Sequence, residues 1–257
     1  MIRKYNSNFY KYPIEVENIS WEILVKIFSE KKEEIIYSWY DIKEKTSYSP
    51  YIKNAILASF IWKIPKNILI LWFWAGSYAK YFFDYFWEKI KITWVEIDKT
   101  MIEIAKQELN LKKINYLNMD FTKSLKILEN KKFDIIFIDL YDENSLIPKS
   151  LYKKENIKSI KKLITKNSKI IINFANYKEF EKEYLELEKS FLEILENKKN
   201  FKILNNKNDY GNVIWVYNLW KDYNSQEIIL EYLQKVQSWL INYDSNLIKF
   251  VGKSKFK

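Results

Sequence analysis

From residue 67 to residue 219 the chain alternates apolar runs with amphipathic ones. NILILWF (67–73) is apolar throughout, the pattern of a strand covered on both faces. SYAKYFFDYF (77–86) reads as a helix and KITWVEID (91–98) as a second strand. In KTMIEIAKQEL (99–109), Met101, Ile104, Ala105 and Leu109 recur at helical spacing. A strand INYLNMD (114–120), a short helix FTKSLKILENK (121–131) and a strand FDIIFIDLYD (133–142) follow. IKSIKKLITKN (157–167) predicts a helix, SKIIINFAN (168–176) a strand and EFEKEYLELEKSFLEILENK (179–198) a longer helix. FKILNNK (201–207) and GNVIWVYNL (211–219) are strands with no helix between them, so the last one should run antiparallel.

Strands separated by helices of this length predict a parallel sheet with helices on both faces. The fold class is α/β, Rossmann-like: a seven-stranded, mostly parallel sheet with an antiparallel last strand, plus a small β-rich N-terminal extension. In that extension, KKEEIIYSWYDIKEKT (31–46) reads as two short strands around a turn at Trp39. SPYIKNAILASFIWKI (49–64) reads as a helix with Ser49 as N-cap and Pro50 at its first position. Residues 221–257 predict a helix, SQEIILEYLQKVQSWLIN (225–242), and a lysine-rich tail. The division is an extension at 1–60, the sheet domain at 61–220 and a C-terminal piece at 221–257.

The loop after the first strand of the sheet departs from what such a loop requires. A G-x-G-x-G nucleotide loop needs glycine at positions 72, 74 and 76, and the chain has Trp72, Trp74 and Gly76. Glycine tolerates positive φ and lets a ligand approach the backbone, and tryptophan does neither. The chain has 10 Trp and 3 Gly. Average usage of about 7% would give about 18 glycines. Trp39, Trp62, Trp72, Trp74, Trp87 and Trp94 all stand where a turn or loop glycine would fit. Two readings are open. Residues 72–76 are a buried strand end with aromatic packing, or several Trp letters are UGA codons, which some bacteria read as glycine.

Composition removes whole classes of chemistry. With no Cys and no His, thiol nucleophiles, disulfides, Cys/His zinc sites and any histidine base are impossible. Catalysis must come from carboxylates, Lys, Tyr, hydroxyls, amides or backbone, and no metal is expected. The net charge of +10 fits an acidic partner or a Lys-favouring codon bias. Arg3 is the single arginine and the lysines are spread along the chain, so nucleic acid is not expected as the main partner. No apolar run is long enough for a membrane span, and MIRKYNSNFYKYP lacks a signal-peptide apolar region, so the expected compartment is the cytoplasm.

Together ILILWFWAGSYAKYF, ITWVEID and FDIIFIDLYDENSLIP resemble the spermidine synthase-like branch of the class I S-adenosylmethionine-dependent methyltransferase fold, over about residues 30–218. The resemblance implies a transferase using S-adenosylmethionine or decarboxylated S-adenosylmethionine. The group moved is an aminopropyl or related group, delivered to a small-molecule amine; alternatives are methyl transfer to a small acceptor and a catalytically silent binding module. It implies that residues 72–76 (Trp72, Trp74, Gly76) and Ser77 form the loop against the methionine part of the cofactor. Glu96, 20 residues after Gly76, would bind the ribose hydroxyls. Asp120, beside Met119, would bind or flank the adenine amino group, or cap the next helix. Asp98 is at least as well explained as an N-cap. Asp139 and Asp142 would be the catalytic carboxylates, with Asp139 accepting the amine's proton, and Tyr141 would be core or pocket wall. The family's Tyr-His-Glu substrate motif is absent, and SPYIKNAIL occupies that region. A homodimer is a further expectation.

Overall fold

The computed structural model describes residues 1–61, 64–72, 76–86, 89–141, 147–195, 200–204 and 212–218. Trp62, Trp74, Trp87, Asp142 and the C-terminal helix read at 225–242 lie outside the described residues. The chain begins with β1 (Ile2–Tyr5), β2 (Ile14–Ile19), β3 (Glu22–Phe28), β4 (Glu34–Asp41) and β5 (Thr46–Ser47), an antiparallel sheet in that order. Next come α1 (Pro50–Phe60), β6 (Asn67–Leu71), α2 (Ser77–Phe86), β7 (Lys91–Glu96), α3 (Lys99–Gln107), β8 (Asn115–Asn118) and α4 (Phe121–Ile127). β9 (Phe133–Ile138), α5 (Lys149–Tyr152), α6 (Lys154–Lys162), β10 (Ile164–Phe174), α7 (Glu181–Leu195), β11 (Asn200–Leu204) and β12 (Val213–Asn218) complete it. The second sheet runs β11-β12-β10-β9-β6-β7-β8, with β12 antiparallel to both its neighbours. The fold is therefore Rossmann-like α/β with a mostly parallel sheet. Among the described residues the chain carries twelve strands in two sheets, because the N-terminal extension has a sheet of its own.

Two local expectations are corrected. Trp39 is not a turn. It sits inside β4, paired with Leu24, its indole donating to Glu22 Oε2 at 2.9 Å and packing on Tyr48. The reversal comes at residues 42–45, where Lys45 takes a positive φ of 50° and Asp41 Oδ1 accepts from Glu44 N at 2.8 Å. Strand β10 starts at Ile164 rather than at Ser168. Ile164 pairs with Phe133, and the register then slips before Lys169 pairs with Ile135. Ser168 Oγ fills the gap by donating to Phe133 O at 2.6 Å and accepting from Thr165 N at 2.8 Å.

The sheet is apolar on both faces because alternate residues feed two cores. Ile68, Ile70, Trp94, Phe137 and Ile171 pack with α1, α2, α3 and the N-terminal sheet. Leu69, Leu71, Val95, Ile138 and Ile172 pack with α4, α6 and α7. Ser49 occupies the N-cap of α1 with Pro50 following, but its side chain makes no capping hydrogen bond. At the other end of that helix, buried Lys169 of β10 reaches across and donates to Ala58 O (3.1 Å), Ser59 O (2.8 Å) and Ile61 O. A cation thus neutralises carbonyls that a helix end leaves without donors. The N-terminal sheet is fastened to α3 by Glu108, which accepts from Arg3 at 2.7 Å and Asn18 at 3.2 Å. No helix of the described residues is long and apolar enough to cross a membrane.

Candidate functional site

Parallel strands bring their carboxyl ends to one edge, where open α/β sheets bind ligands. Here the register is continuous: Val95 pairs with Leu71, Leu71 with Ile138 and Ile138 with Ile172. All four belong to the core under α4, α6 and α7. One residue on, alternation turns Glu96, Asp139 and Asn173 toward α1 and the N-terminal sheet. Three polar side chains, all buried, thus end three apolar strands at the same level.

Asp139 is fully buried. Its Oδ1 accepts from Asn173 Nδ2 at 2.7 Å, and its Oδ2 has no donor among the described residues. Asn173 Oδ1 is likewise buried without a described donor. Burial pushes the Asp139 carboxyl up to about 7, against a lowering effect of the Asn173 hydrogen bond. The end of β10 is held in place by Tyr141, which is core. Its hydroxyl donates to Asn173 O and accepts from Ala175 N at 2.8 Å, while Tyr184 OH donates to Ala175 O at 2.6 Å.

Glu96 is also fully buried, with Oε1 accepting from Asp98 N at 2.8 Å. Asp98 caps α3: Oδ1 accepts from Thr100 N at 2.8 Å and Oδ2 from Ser7 Oγ at 2.6 Å. Asp120 caps α4 in the same way, accepting from Thr122 N at 2.9 Å. The two alternatives for Asp98 and Asp120 therefore meet in a visible capping role, and Met119 N is used in a backbone bond to Glu96 O at 3.1 Å.

In the loop after β6, Trp72 has a φ of +47° and Gly76 a φ of +89°, both in the left-handed region. Trp72 N still donates to Val95 O at 2.9 Å, and its indole packs on the core that holds Leu71 and Val95. Gly76 is enclosed from below: a Cβ there would lie 3.1 Å from Leu109 and Leu111 and 3.4 Å from the Trp94 indole. Trp94 is a core residue, fully buried on the same face. Ser77 opens α2, but its hydroxyl is buried and hydrogen-bonded to Ser38 Oγ of β4.

Three residues that sequence reasoning passed over belong to this place. Asn173 could have been found by the rule that singled out Asp139, since it is a polar residue near the end of an apolar strand. Tyr51, in the first turn of α1, has its hydroxyl pushed well up by burial and by the charge of Asp139. Tyr37 of β4 is pushed up to about 12, by burial first and then by Glu96, Asp139 and Asp98. Tyr10 OH donates to Tyr37 OH at 3.0 Å with the rings edge to face. No local motif marks these tyrosines among the chain's 20, because what joins them to the carboxylates is tertiary.

Comparison with known proteins agrees with this architecture. The chain resembles a probable spermidine synthase from Corynebacterium glutamicum at a TM-score of 0.72, with 15% identity over 98% of this chain and 94% of that one. A spermidine synthase in complex with the transition-state analogue AdoDATO superposes at 0.62, with 10% identity over 98% of this chain and 91% of that one. Human methyltransferase-like protein 13 in complex with SAH superposes at 0.58, with 18% identity over 76% of this chain and 92% of that one. At these identities the likeness is one of fold. No curated protein matches by sequence. A family model, the spermine/spermidine synthase domain, matches residues 58–228, which include every strand-end residue of the site. The chain is a member of the spermine/spermidine synthase domain family.

Proposed function

We propose that this protein transfers an aminopropyl or related group from a sulfonium nucleoside to a small amine. One observation carries the reading: Asp139 Oδ2 and Asn173 Oδ1 are buried acceptors with no described donor. Buried polar atoms left in that state are costly, and a site that holds them calls for a donor-rich ligand. An ammonium brings three donors and no acceptor, and its charge matches the carboxylate.

The residues present fit a sulfonium nucleoside of the S-adenosylmethionine type, in the decarboxylated form for aminopropyl transfer. Gly76 supplies backbone without a side chain, and Glu96 supplies a buried acid at the second strand for the ribose hydroxyls. By the family resemblance Asp120, besides capping α4, would lie beside the adenine, and residues 72–77 would face the methionine side. When bound, such a cofactor supplies an electrophilic carbon and a neutral thioether as leaving group. Asp139 does the remaining work. As a carboxylate it pairs with the acceptor ammonium, and it then takes the proton that the nitrogen must lose before its lone pair can attack. Asn173 orients the carboxylate through Oδ1 and leaves Oδ2 for the amine. By the family resemblance Asp142, three residues on in sequence, would be the second acid. Tyr37 and Tyr51 place aromatic rings within electrostatic reach of the same charge, a surrounding that favours a cation.

Calorimetry with S-adenosylmethionine and with its decarboxylated form, followed by mass spectrometry of products formed with a set of diamines, tests this. Tighter binding of the decarboxylated form and a mass gain of one aminopropyl group on the amine are expected. Preference for S-adenosylmethionine with a methyl gain would move the assignment to methyl transfer, and binding of neither would remove an enzymatic role.

A further inference from the structure

We infer that a second site, at the opposite edge of the parallel sheet, binds a nucleoside phosphate. An open cleft of about 600 Å³ lies where β6, β7, β8 and β9 begin, bounded by Asn67, Lys91, Asn115 and Phe133. Glu96 and Asp139 stand at the far ends of those strands, so the two sites share strands and nothing else.

The cleft combines two surfaces. Its floor is apolar, built from Ile90, Ile92, Ile114 and Phe133, all buried but lining open space. Its rim carries Lys91, Lys113, Lys131 and Lys132, and no carboxylate appears among the described lining residues. The carboxylate next to the cleft, Asp134, is engaged with the backbone, its Oδ2 accepting from Lys66 N at 2.8 Å and Asn67 N at 3.0 Å. Lys132 is held in place, its Nζ donating to Lys162 O and Ile164 O. No ion pair ties Lys91 or Lys131 to a described carboxylate. At the cleft wall Asn115 Nδ2 donates to Thr93 Oγ1 at 3.3 Å, which keeps its carbonyl oxygen available to accept.

Lysines beside helix carboxyl ends often serve only to complement the helix dipole. That role covers Lys132, which meets the last residue of α6. It does not cover Lys91, which opens β7 five residues past the end of α2 at Phe86, outside the last turn over which a helix dipole acts. A bare polyanion would use the rim and ignore the floor. A nucleoside phosphate uses both: phosphate on the ammonium groups, a flat base over isoleucine and phenylalanine, and amide side chains at the base edge. The volume falls within the range of small-molecule sites. The same chemistry is offered by a free nucleotide and by a single-stranded RNA.

The test is titration calorimetry with GTP, chosen because the adenosine-type site should not compete for it. Wild type, Lys91→Glu/Lys131→Glu and Glu96→Ala are each titrated with GTP, with tripolyphosphate and with a short oligouridylate. GTP should bind wild type and Glu96→Ala alike, bind the double variant at least about tenfold more weakly, and lose affinity with added salt. Tripolyphosphate should bind at least tenfold more weakly than GTP. If the charge reversal melts the fold, Lys91→Ala/Lys131→Ala carries the same comparison. Absence of GTP binding, equal affinity for tripolyphosphate, or loss through Glu96→Ala rather than the lysine variant would each overturn the assignment. Oligouridylate that displaces GTP identifies RNA as the source of the ligand, and oligouridylate that does not identifies the free nucleotide. Because GTP binding is read directly, the outcome is independent of whether aminopropyl transfer is confirmed.

Discussion

Asp139→Asn separates what this carboxylate does for the fold from what it does for the reaction. In the folded protein burial raises the Asp139 carboxyl from 3.8 to about 7. Between those values the folded chain keeps a proton that the unfolded chain has released. Each pH unit there is worth about 1.4 kcal/mol, so stability is fully present below pH 3.8 and is lost as pH rises toward 7, by about 4 kcal/mol in total. Roughly 3 kcal/mol of that falls between pH 5 and pH 8.5. Asparagine has no proton to release, and its carbonyl oxygen can still accept from Asn173. The variant should therefore gain on wild type as pH rises, the difference growing by about 3 kcal/mol between pH 5 and pH 8.5.

Urea unfolding of both proteins at the two pH values reads this directly, since other titrating groups cancel in the difference. Turnover should fall by about 10²-fold or more in the variant, because the proton acceptor is gone. A saturating diamine at pH 8.5 should stabilise wild type more than the variant. A stability difference that stays constant with pH would mean that the carboxyl ionises as an ordinary surface acid does. The claim of a buried, poised proton acceptor would then be lost.

Three other outcomes are expected. Glu96→Ala should weaken binding of the sulfonium nucleoside by about 1–3 kcal/mol in calorimetry, and an unchanged affinity would reject the ribose assignment. Lys169→Met leaves the carbonyls of Ala58, Ser59 and Ile61 without their buried donor, and should cost about 3 kcal/mol or more in chemical denaturation; a loss under about 1 kcal/mol would show that water replaces the ammonium. Trp72→Gly keeps the left-handed turn and relieves about 1–2 kcal/mol of strain that a residue with a Cβ carries there. Because the indole packs on the core and not over the strand ends, cofactor affinity by calorimetry should be unchanged, and weaker binding would show that the indole is part of the site.

Where covalent pattern and environment coincide, the sequence was readable. The run NILIL has to be a strand buried on both faces, and Ile68 and Leu69 do enter opposite cores. SYAKYFFDYF gave the bounds of α2 without change. Asp139 stood out because a carboxylate ends an apolar run. The misreadings share a cause: the deciding contacts are distant in sequence. Trp39 is a strand residue because β3 pairs with it, and no local signal in YSWYD reports β3. Ile164 joins a strand because Ser168 fills a slip against Phe133, which no helical or alternating period encodes.

Tryptophan in the loop after β6 shows the limit most sharply. Position 72 takes the backbone conformation that glycine would be chosen for, yet its indole has found a place on the core instead of projecting over the strand ends. Left-handed backbone at 72 and again at Gly76 is a property of the strand-to-helix turn, set by β6 continuing its ladder to Val95 and α2 starting at Ser77. The turn is therefore dictated by the fold and tolerated by the residue. A glycine codon at 72 would make residue and turn agree, whereas a true tryptophan would hold the turn under strain beside the ligand edge. Both cases leave Glu96, Asp139 and Asn173 where they are, since their placement comes from strand register and not from the loop.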